Sequence, residues 1–363
     1  MSESISKFEG FGIVTSEPWQ RPKRLSFEVR DLTDDDLDVK VEACGLCGSD
    51  MHCISGRWGP RQDPLIVGHE VVGRIVRMGK NCANSNFKVG QRVGTGAVVS
   101  SCRNCTRCRS GEVTYCEKLV LAFNGKFGNG SLSQGGFASH VRVNMHYVVS
   151  IPENIPSHVA APLMCAGISA YAALIRNDVA PGKVVGVVGL GGVGNLAVVL
   201  AKSLGAEVYV FSRTAAKKWD ALKMGADHFI LTSDDGKNYS EELVDKIDLM
   251  LVCTSSLSGV DFEQLIRVMR RGGKIVSVAE PPTSEVLILR PYGLLGVSFE
   301  CSAAGNFEEV KLLLQHVSQN RTDFCIETRP ISEENIAISF NKMGNGDIRY
   351  RLVLTEFDKE FSA

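Results

Sequence analysis

The sequence of 363 residues contains no long uninterrupted apolar run. Its longest, Val184 to Ala201, is broken by five glycines and Asn195, which argues against a membrane-spanning helix there. The N-terminal stretch MSESISKFEG has neither the basic nor the apolar segment of a secretory leader. An excess of charge of one sign is missing as well. With 40 basic against 41 acidic residues and no long like-charge block, the chain lacks the footprint of a nucleic-acid or anionic-membrane binder. No fixed-period repeat and no low-complexity run is present, which removes solenoids and arrays. A soluble, cytoplasmic protein with a small-molecule partner is expected, with no nucleic acid and no membrane.

Cysteine, by contrast, is abundant. Twelve thiols in a chain long enough for two ordinary domains need an explanation other than disulfides, because a reducing cytosol disfavours them and a core of this size needs no staples.

The texture changes along the chain. From about residue 24 to 155, short β-rich pieces such as LDVKVEAC, VVGRIVRMG and GFASHVRV are separated by glycine-rich turns. From about 156 to 298, apolar runs (VVGVVG, AEVYVFS, HFILT, DLMLVCTS, GKIVSVA) alternate with helical stretches, the pattern of a parallel sheet buried on both faces. The tail carries a helix at NFEEVKLLLQHVSQN and a strand at RYRLVLTEF that is expected to return to the first domain. The expected fold is therefore α/β. Residues 1–155 with 299–363 form a mainly β domain, and 156–298 form a doubly wound nucleotide-binding domain.

Cys102, Cys105, Cys108 and Cys116 follow the pattern Cys-x2-Cys-x2-Cys-x7-Cys in a loop rich in Arg, Asn and Ser. Four thiolates at this spacing can surround one zinc ion tetrahedrally and leave no open position, so the site is structural. Buried apolar cysteines would need flanking hydrophobes, which are absent, whereas an iron–sulfur cluster can use similar spacing. A nucleic-acid zinc module is a further alternative. Arg103, Arg107 and Arg109 would suit it, but Glu112, Glu117 and the lack of stacking aromatics speak against it.

A catalytic zinc needs three protein ligands and an open place. Cys47, in CGLCGSDMH, and His69, in GHE, supply two. Cys165, in PLMCAG, lies where the first domain hands over to the second, the usual location of a cleft, and competes with the reading of a core cysteine. Asp50, three residues after Cys47, is placed to accept the second ring N–H of a ligating histidine, or else is a solvated turn aspartate.

The run GHEVVGRIVRMGKN, together with CGLCGSD, the four-cysteine loop and the later glycine fingerprint, resembles the zinc-containing medium-chain dehydrogenase/reductase superfamily. Within it, the similarity is to cinnamyl alcohol dehydrogenases and NADP-dependent broad-specificity alcohol dehydrogenases. The resemblance spans almost the whole chain. It implies a GroES-like catalytic domain joined to a Rossmann domain, two zinc ions per chain and a homodimer. It also implies that Cys47, His69 and Cys165 are catalytic ligands, that Glu70 can approach the metal during exchange, and that Cys102, Cys105, Cys108 and Cys116 hold the structural ion. Cys44 is not a ligand in that family.

Gly189, Leu190, Gly191, Gly192, Val193 and Gly194 form a G-x-G-x-x-G turn between an apolar strand and a helix. Small residues there permit the tight turn and the close approach of a pyrophosphate to the helix N-terminus. Roughly 20 residues on, an NAD site would place an acidic residue against the ribose. Here Ser212 and Arg213 stand instead, with Lys217 close behind, so no carboxylate repels a 2′-phosphate and a guanidinium can bind it. NADP is the expected cofactor. The resemblance adds Arg349 near the pyrophosphate and Cys253, Ser277, Val278 and Ala279 beside ribose or nicotinamide.

An alcohol bound at zinc is acidified and hydride moves to or from the nicotinamide. Ser49 can relay the alkoxide proton and His52 can pass it toward solvent through the cofactor ribose, although in isolation they read as a turn hydroxyl and an exposed histidine. Trp58 and Phe299 are candidate walls of the substrate pocket, with core packing as the alternative for Trp58. Glu300 is more polar than such a pocket suggests. The expected activity is an NADP-dependent alcohol dehydrogenase acting on cinnamyl-like or medium aliphatic alcohols and aldehydes. A polyol or formaldehyde dehydrogenase on the same scaffold is one alternative, and a non-enzymatic zinc-stabilised binder is the other.

Overall fold

The structure, a computed structural model, describes residues 6–233, 238–254, 256, 258–279, 296–320 and 322–362. Residues 1–5, which belong to the N-terminal stretch read above, lie outside the described residues. The chain divides into two units. One comprises 1–165, 306–318 and 326–363, and the other 166–305 and 319–325.

In the first unit, seven strands form one sheet whose order runs Ile326–Pro330, Arg351–Thr355, Asp36–Leu46, Glu70–Met78, Arg92–Thr95 and Val149–Ser150, with His140–Asn144 also pairing with Asp36–Leu46. The tail strand Arg351–Thr355 is antiparallel to Asp36–Leu46, with Leu354 opposite Cys44. Its apolar residues explain that position: Leu352 and Leu354 are fully buried in the core with Phe137, Phe340 and Ile75, and Val353 between them is buried as well. A long strand at Asp36–Leu46 therefore has neighbours on both sides, and its end delivers the chain to the helix Gly48–Ile54.

Among the described residues, the second unit holds a six-stranded parallel sheet in the order His228–Leu231, Glu207–Ser212, Val184–Val188, Ile247–Val252, Met269–Ser277, Ser298–Cys301. Counted along the chain this is 3-2-1-4-5-6, the dinucleotide-binding order, whose direction reverses beside the first strand. The strand Val184–Val188 is buried at every residue, as a strand covered on both faces must be.

The unit breaks fall later than the sequence texture suggests. The apolar helix Ser157–Pro162 packs on Asp36–Leu46 and Glu70–Met78, so the first unit extends to Cys165 rather than ending at 155. Residues 299–305 belong to the second unit because Ser298–Cys301 is the sixth strand of its sheet. Among the described residues, one helical run, Ser157–Ile175, is apolar and long enough to span a membrane by composition, but 78% of its apolar window is buried inside the protein, as for a core helix.

Candidate active site

The helix Gly48–Ile54 begins at Cys47, and its own sequence builds the first contact of the site. The Asp50 carboxylate reaches back and accepts the Cys47 backbone N–H at 2.8 Å. Its other oxygen accepts the Gly68 N–H at 3.0 Å and lies 3.0 Å from His69 Nδ1. Asp50 thus caps the helix, ties it to the loop before Glu70–Met78 and fixes the imidazole with Nε2 facing inward. That nitrogen lies 3.2 Å from Cys165 Sγ, which is carried on the π-turn Leu163–Gly167. Such single-turn distortions recur at functional sites because they re-aim a side chain within a helix.

Cys47, His69, Glu70 and Cys165 bring their ligand atoms within 4.8 Å of one another, three of the residues being buried and Cys165 half-buried. Hydrogen bonding with Cys165 and the neighbouring His69 hold the Cys47 thiol well below its usual range against the opposing effect of burial. Burial disfavours a charged His69, but Asp50 outweighs it and raises the ring well above its ordinary value. Burial pushes Glu70 up to about 7 against the pull of Arg351. A buried set rich in acidic donors with one imidazole is a place that favours a cation, and the thiolate–imidazole–thiolate donors suit zinc.

Arg351 is the residue that sequence reading missed. It lies fully in the interior, 3% exposed, with its guanidinium paired to the Glu70 carboxylate. The signal was present in the strand RYRLVLT, where a charged residue occupies a position flanked by buried ones, but nothing local names its partner, 281 residues away. Gly45 completes the arrangement. A Cβ there would stand 2.0 Å from Glu70 Oε2.

Ser49 Oγ lies 3.7 Å from Cys47 Sγ. His52, half-buried on the same helix, packs against Trp58 with ring centroids 5.3 Å apart, and Trp58 is 41% exposed. Phe299 is placed on the edge strand of the second unit against Phe262, with centroids 6.0 Å apart. Glu300 spends its charge on Lys274 of the neighbouring strand, at 3.1 Å.

The second donor set is local. Cys102, Cys105, Cys108 and Cys116 also lie with sulfurs mutually within 4.8 Å. Cys102 Sγ is 3.8 Å from Cys108 Sγ and 3.6 Å from Cys116 Sγ. Four sulfurs at about 2.3 Å from one ion have edges of about 3.8 Å, which both of these distances match, so the donor set suits zinc.

In the second unit, Gly189, Ser212, Cys253 and Ser277 stand at the carboxyl ends of four adjacent parallel strands, where such sheets bind dinucleotides. Gly194 packs so closely that a Cβ would lie 2.0 Å from the Gly189 carbonyl oxygen, whereas Gly191 faces open space. Leu190 is buried, while Gly192 and Val193 are half-exposed. Lys217 Nζ donates to the Leu190 carbonyl at 2.8 Å, and the exposed Arg213 donates to the Ser258 carbonyl at 3.3 Å. Ser212 Oγ accepts the Thr214 N–H. The Cys253 and Val278 N–H groups donate to Val188 and Val252, and Ser277 Oγ donates to the Ala279 carbonyl. Asn195, noted in the sequence only as an interruption, is fully buried and donates from Nδ2 to the carbonyls of Gly191 and Gly192 at 3.1 and 2.8 Å, bracing the glycine turn. Arg349 is exposed in the first unit, its N–H on Glu327. The basic pair and the missing carboxylate suit the 2′-phosphate of NADP.

A doubly wound dinucleotide sheet and a β unit bearing a thiolate–imidazole metal site together define a metal-dependent dehydrogenase. Residues 33–153 match the alcohol dehydrogenase GroES-like domain, and residues 192–319 match the zinc-binding dehydrogenase domain. The chain is 48% identical to NADP-dependent alcohol dehydrogenase 6 of Saccharomyces cerevisiae over 356 residues, 98% of each chain. Among solved structures, a cinnamyl alcohol dehydrogenase from Sorghum bicolor superposes with a TM-score of 0.88 at 31% identity, covering 96% of this chain and 97% of that one. CAD from Helicobacter pylori, complexed with NADP(H), superposes with a TM-score of 0.87 at 28% identity, covering 96% and 98%. The chain belongs to the zinc-binding alcohol dehydrogenase family.

Proposed function

We propose that the chain is an NADP-dependent zinc alcohol dehydrogenase that interconverts small alcohols and aldehydes, with cinnamyl-like and medium aliphatic aldehydes as its preferred substrates in the reducing direction. The observation that carries this reading is the convergent Cys47–His69–Cys165 set with Asp50 behind the histidine, in one chain with a dinucleotide sheet whose second strand ends at Ser212 and is followed by Arg213.

When bound, zinc supplies polarisation of the substrate oxygen and NADPH supplies hydride. Cys47, His69 and Cys165 hold the metal, and Asp50 keeps the His69 tautomer that leaves Nε2 for ligation. The Ser49 hydroxyl moves the proton of the substrate oxygen, and His52 exchanges it onward to solvent. Glu70, restrained by Arg351, stands by as an alternative ligand during exchange. Arg213, Lys217 and Ser212 bind the 2′-phosphate. The turn from Gly189 to Gly194, including Leu190, Gly191, Gly192 and Val193, takes the pyrophosphate. Cys253, Ser277, Val278 and Ala279 line the ribose and nicotinamide, while Trp58 and Phe299 contribute to substrate recognition. Cys102, Cys105, Cys108 and Cys116 hold the structural ion. Residues 1–165 with 306–318 and 326–363 are the catalytic domain, and residues 166–305 with 319–325 are the cofactor domain. A cytoplasmic homodimer completes the proposal.

The test is steady-state oxidation of NADPH and of NADH over a panel of aromatic and aliphatic aldehydes, with the reverse reaction on the matching alcohols. NADPH-dependent reduction of cinnamaldehyde-like substrates is expected. Equal rates with NADH would sink the cofactor assignment, and turnover confined to polyols or to formaldehyde would redirect the substrate class.

A further inference from the structure

The four sulfurs of the cysteine loop are not held alike. Cys102 Sγ accepts the Cys105 N–H at 3.4 Å, Cys105 Sγ accepts the Cys108 N–H at 3.5 Å, and Cys116 Sγ accepts the Lys118 N–H at 3.4 Å. Each of these donors comes from the backbone of the loop itself. For Cys108, the hydrogen-bonding contact from outside the cysteine set is a side chain, the Ser101 hydroxyl at 3.3 Å. Ser101 Oγ is in turn 2.8 Å from the Tyr147 hydroxyl.

Proton count gives this chain of hydroxyls a direction. A metal-bound thiolate has no proton and can only accept, so the single Ser101 proton points at sulfur. Ser101 Oγ must then accept from Tyr147, whose phenol is protonated at neutral pH. Tyr147 is well anchored. It is 3% exposed, its ring meets Phe307 edge-on with centroids 5.6 Å apart, and its carbonyl accepts the Thr95 hydroxyl at 2.9 Å. Cys102, Cys105 and Cys108 are half-exposed, so the loop has little burial of its own to fix Cys108.

We propose that Tyr147 and Ser101 form a two-hydroxyl relay that donates a hydrogen bond from the domain core to the Cys108 thiolate and slows release of the loop's metal ion. Tyr147 acts through Ser101, so both are positioning residues for the metal site. The inference rests on the reading of the loop as a zinc site.

The experiment uses the full chain carrying Cys47→Ser, so that the loop is the remaining zinc site, and begins with metal analysis. One zinc per chain is expected; a folded preparation without zinc overturns the loop assignment and the relay with it. Zinc release to excess 4-(2-pyridylazo)resorcinol is then timed. Loss of such an outer hydrogen bond lowers metal affinity by roughly 10- to 100-fold, so Ser101→Ala should release zinc at least about tenfold faster. Tyr147→Phe, which removes one oxygen and keeps the ring, should accelerate release by a smaller factor, and Ser101→Thr should restore the slow rate. Combining Ser101→Ala with Tyr147→Phe should add nothing to Ser101→Ala alone, because the two act in series. With cobalt in the loop, the sulfur-to-metal charge-transfer band should move to lower energy in Ser101→Ala and Tyr147→Phe, a change that loss of packing alone does not produce. Parent-like release and an unmoved band in both variants overturn the relay. So does a double variant faster than Ser101→Ala by the full Tyr147→Phe factor.

Discussion

The two metal sites of the first unit are built in opposite ways. The structural loop collects its four donors within 15 residues of chain, Cys102 to Cys116, and three of its four ligands are half-exposed. The catalytic set collects Cys47, His69, Glu70 and Cys165 from three separate elements and is largely buried, with Asp50 behind the histidine and Arg351 on the glutamate. In the first, the sequence interval supplies the geometry and the ion closes it. In the second, a packed sheet supplies the geometry, and buried charges must be balanced by one another. The loop should therefore tolerate changes in the buried set, while the buried set should respond to any change in its surrounding charges.

The largest expected effect separates the two directly. Cys47→Ser removes a ligand from the buried set, and with several kcal/mol of transition-state stabilisation at stake turnover should fall by more than about 1000-fold. Metal analysis should still find the loop ion. Loss of both ions would break the comparison.

Next comes the buried ion pair. Arg351→Met leaves Glu70 in the interior without its guanidinium, a change of about 3 kcal/mol at alkaline pH by the usual scale for a broken buried pair. The pH dependence follows from Glu70, whose carboxyl is raised from 4.5 to about 7 in the folded protein and rises further without Arg351. A carboxyl raised on folding favours the protonated folded state, so folding loses stability as pH rises through that range. Chelator-treated parent and variant should differ little near pH 6. Above pH 7 the gap should widen by up to about 1.4 kcal/mol per unit, measured by urea unfolding. A gap independent of pH would show that Glu70 is not the group left unpaired.

The smallest effect concerns the support of the histidine. Asp50→Asn should weaken retention of the catalytic ion by about 10- to 100-fold and leave the loop ion's release rate unchanged, as read by chelator competition. Equal loss from both sites would mean that Asp50 acts through global stability and not through His69.

These differences explain why parts of the molecule were legible in the sequence and others were not. The glycine turn, the order of strand and helix in the second unit and the four-cysteine spacing are local patterns, written in intervals of a few residues. Cys165 needed the family resemblance, because a single thiol among small residues carries no sign of its partners. Arg351 was passed over in favour of Arg349 for the same reason, since its meaning lies in Glu70 far away in the chain. The helix Ser157–Pro162 sits with the first unit although its apolar texture resembles the second, because what it packs against, not what it contains, assigns it. Asn195 looked like a break in an apolar run and is instead a brace for the glycine turn.

From its residues alone, then, this chain declared a dinucleotide sheet, a zinc loop, a preference against a ribose-binding carboxylate and the type of each metal donor, because periodicity and spacing encode local geometry. The fold settled which separated side chains meet: Asp50 on His69, Arg351 on Glu70, Tyr147 on Ser101. Those pairings depend on burial and charge balance in a packed interior, and neither exists until the strands that carry them have come together.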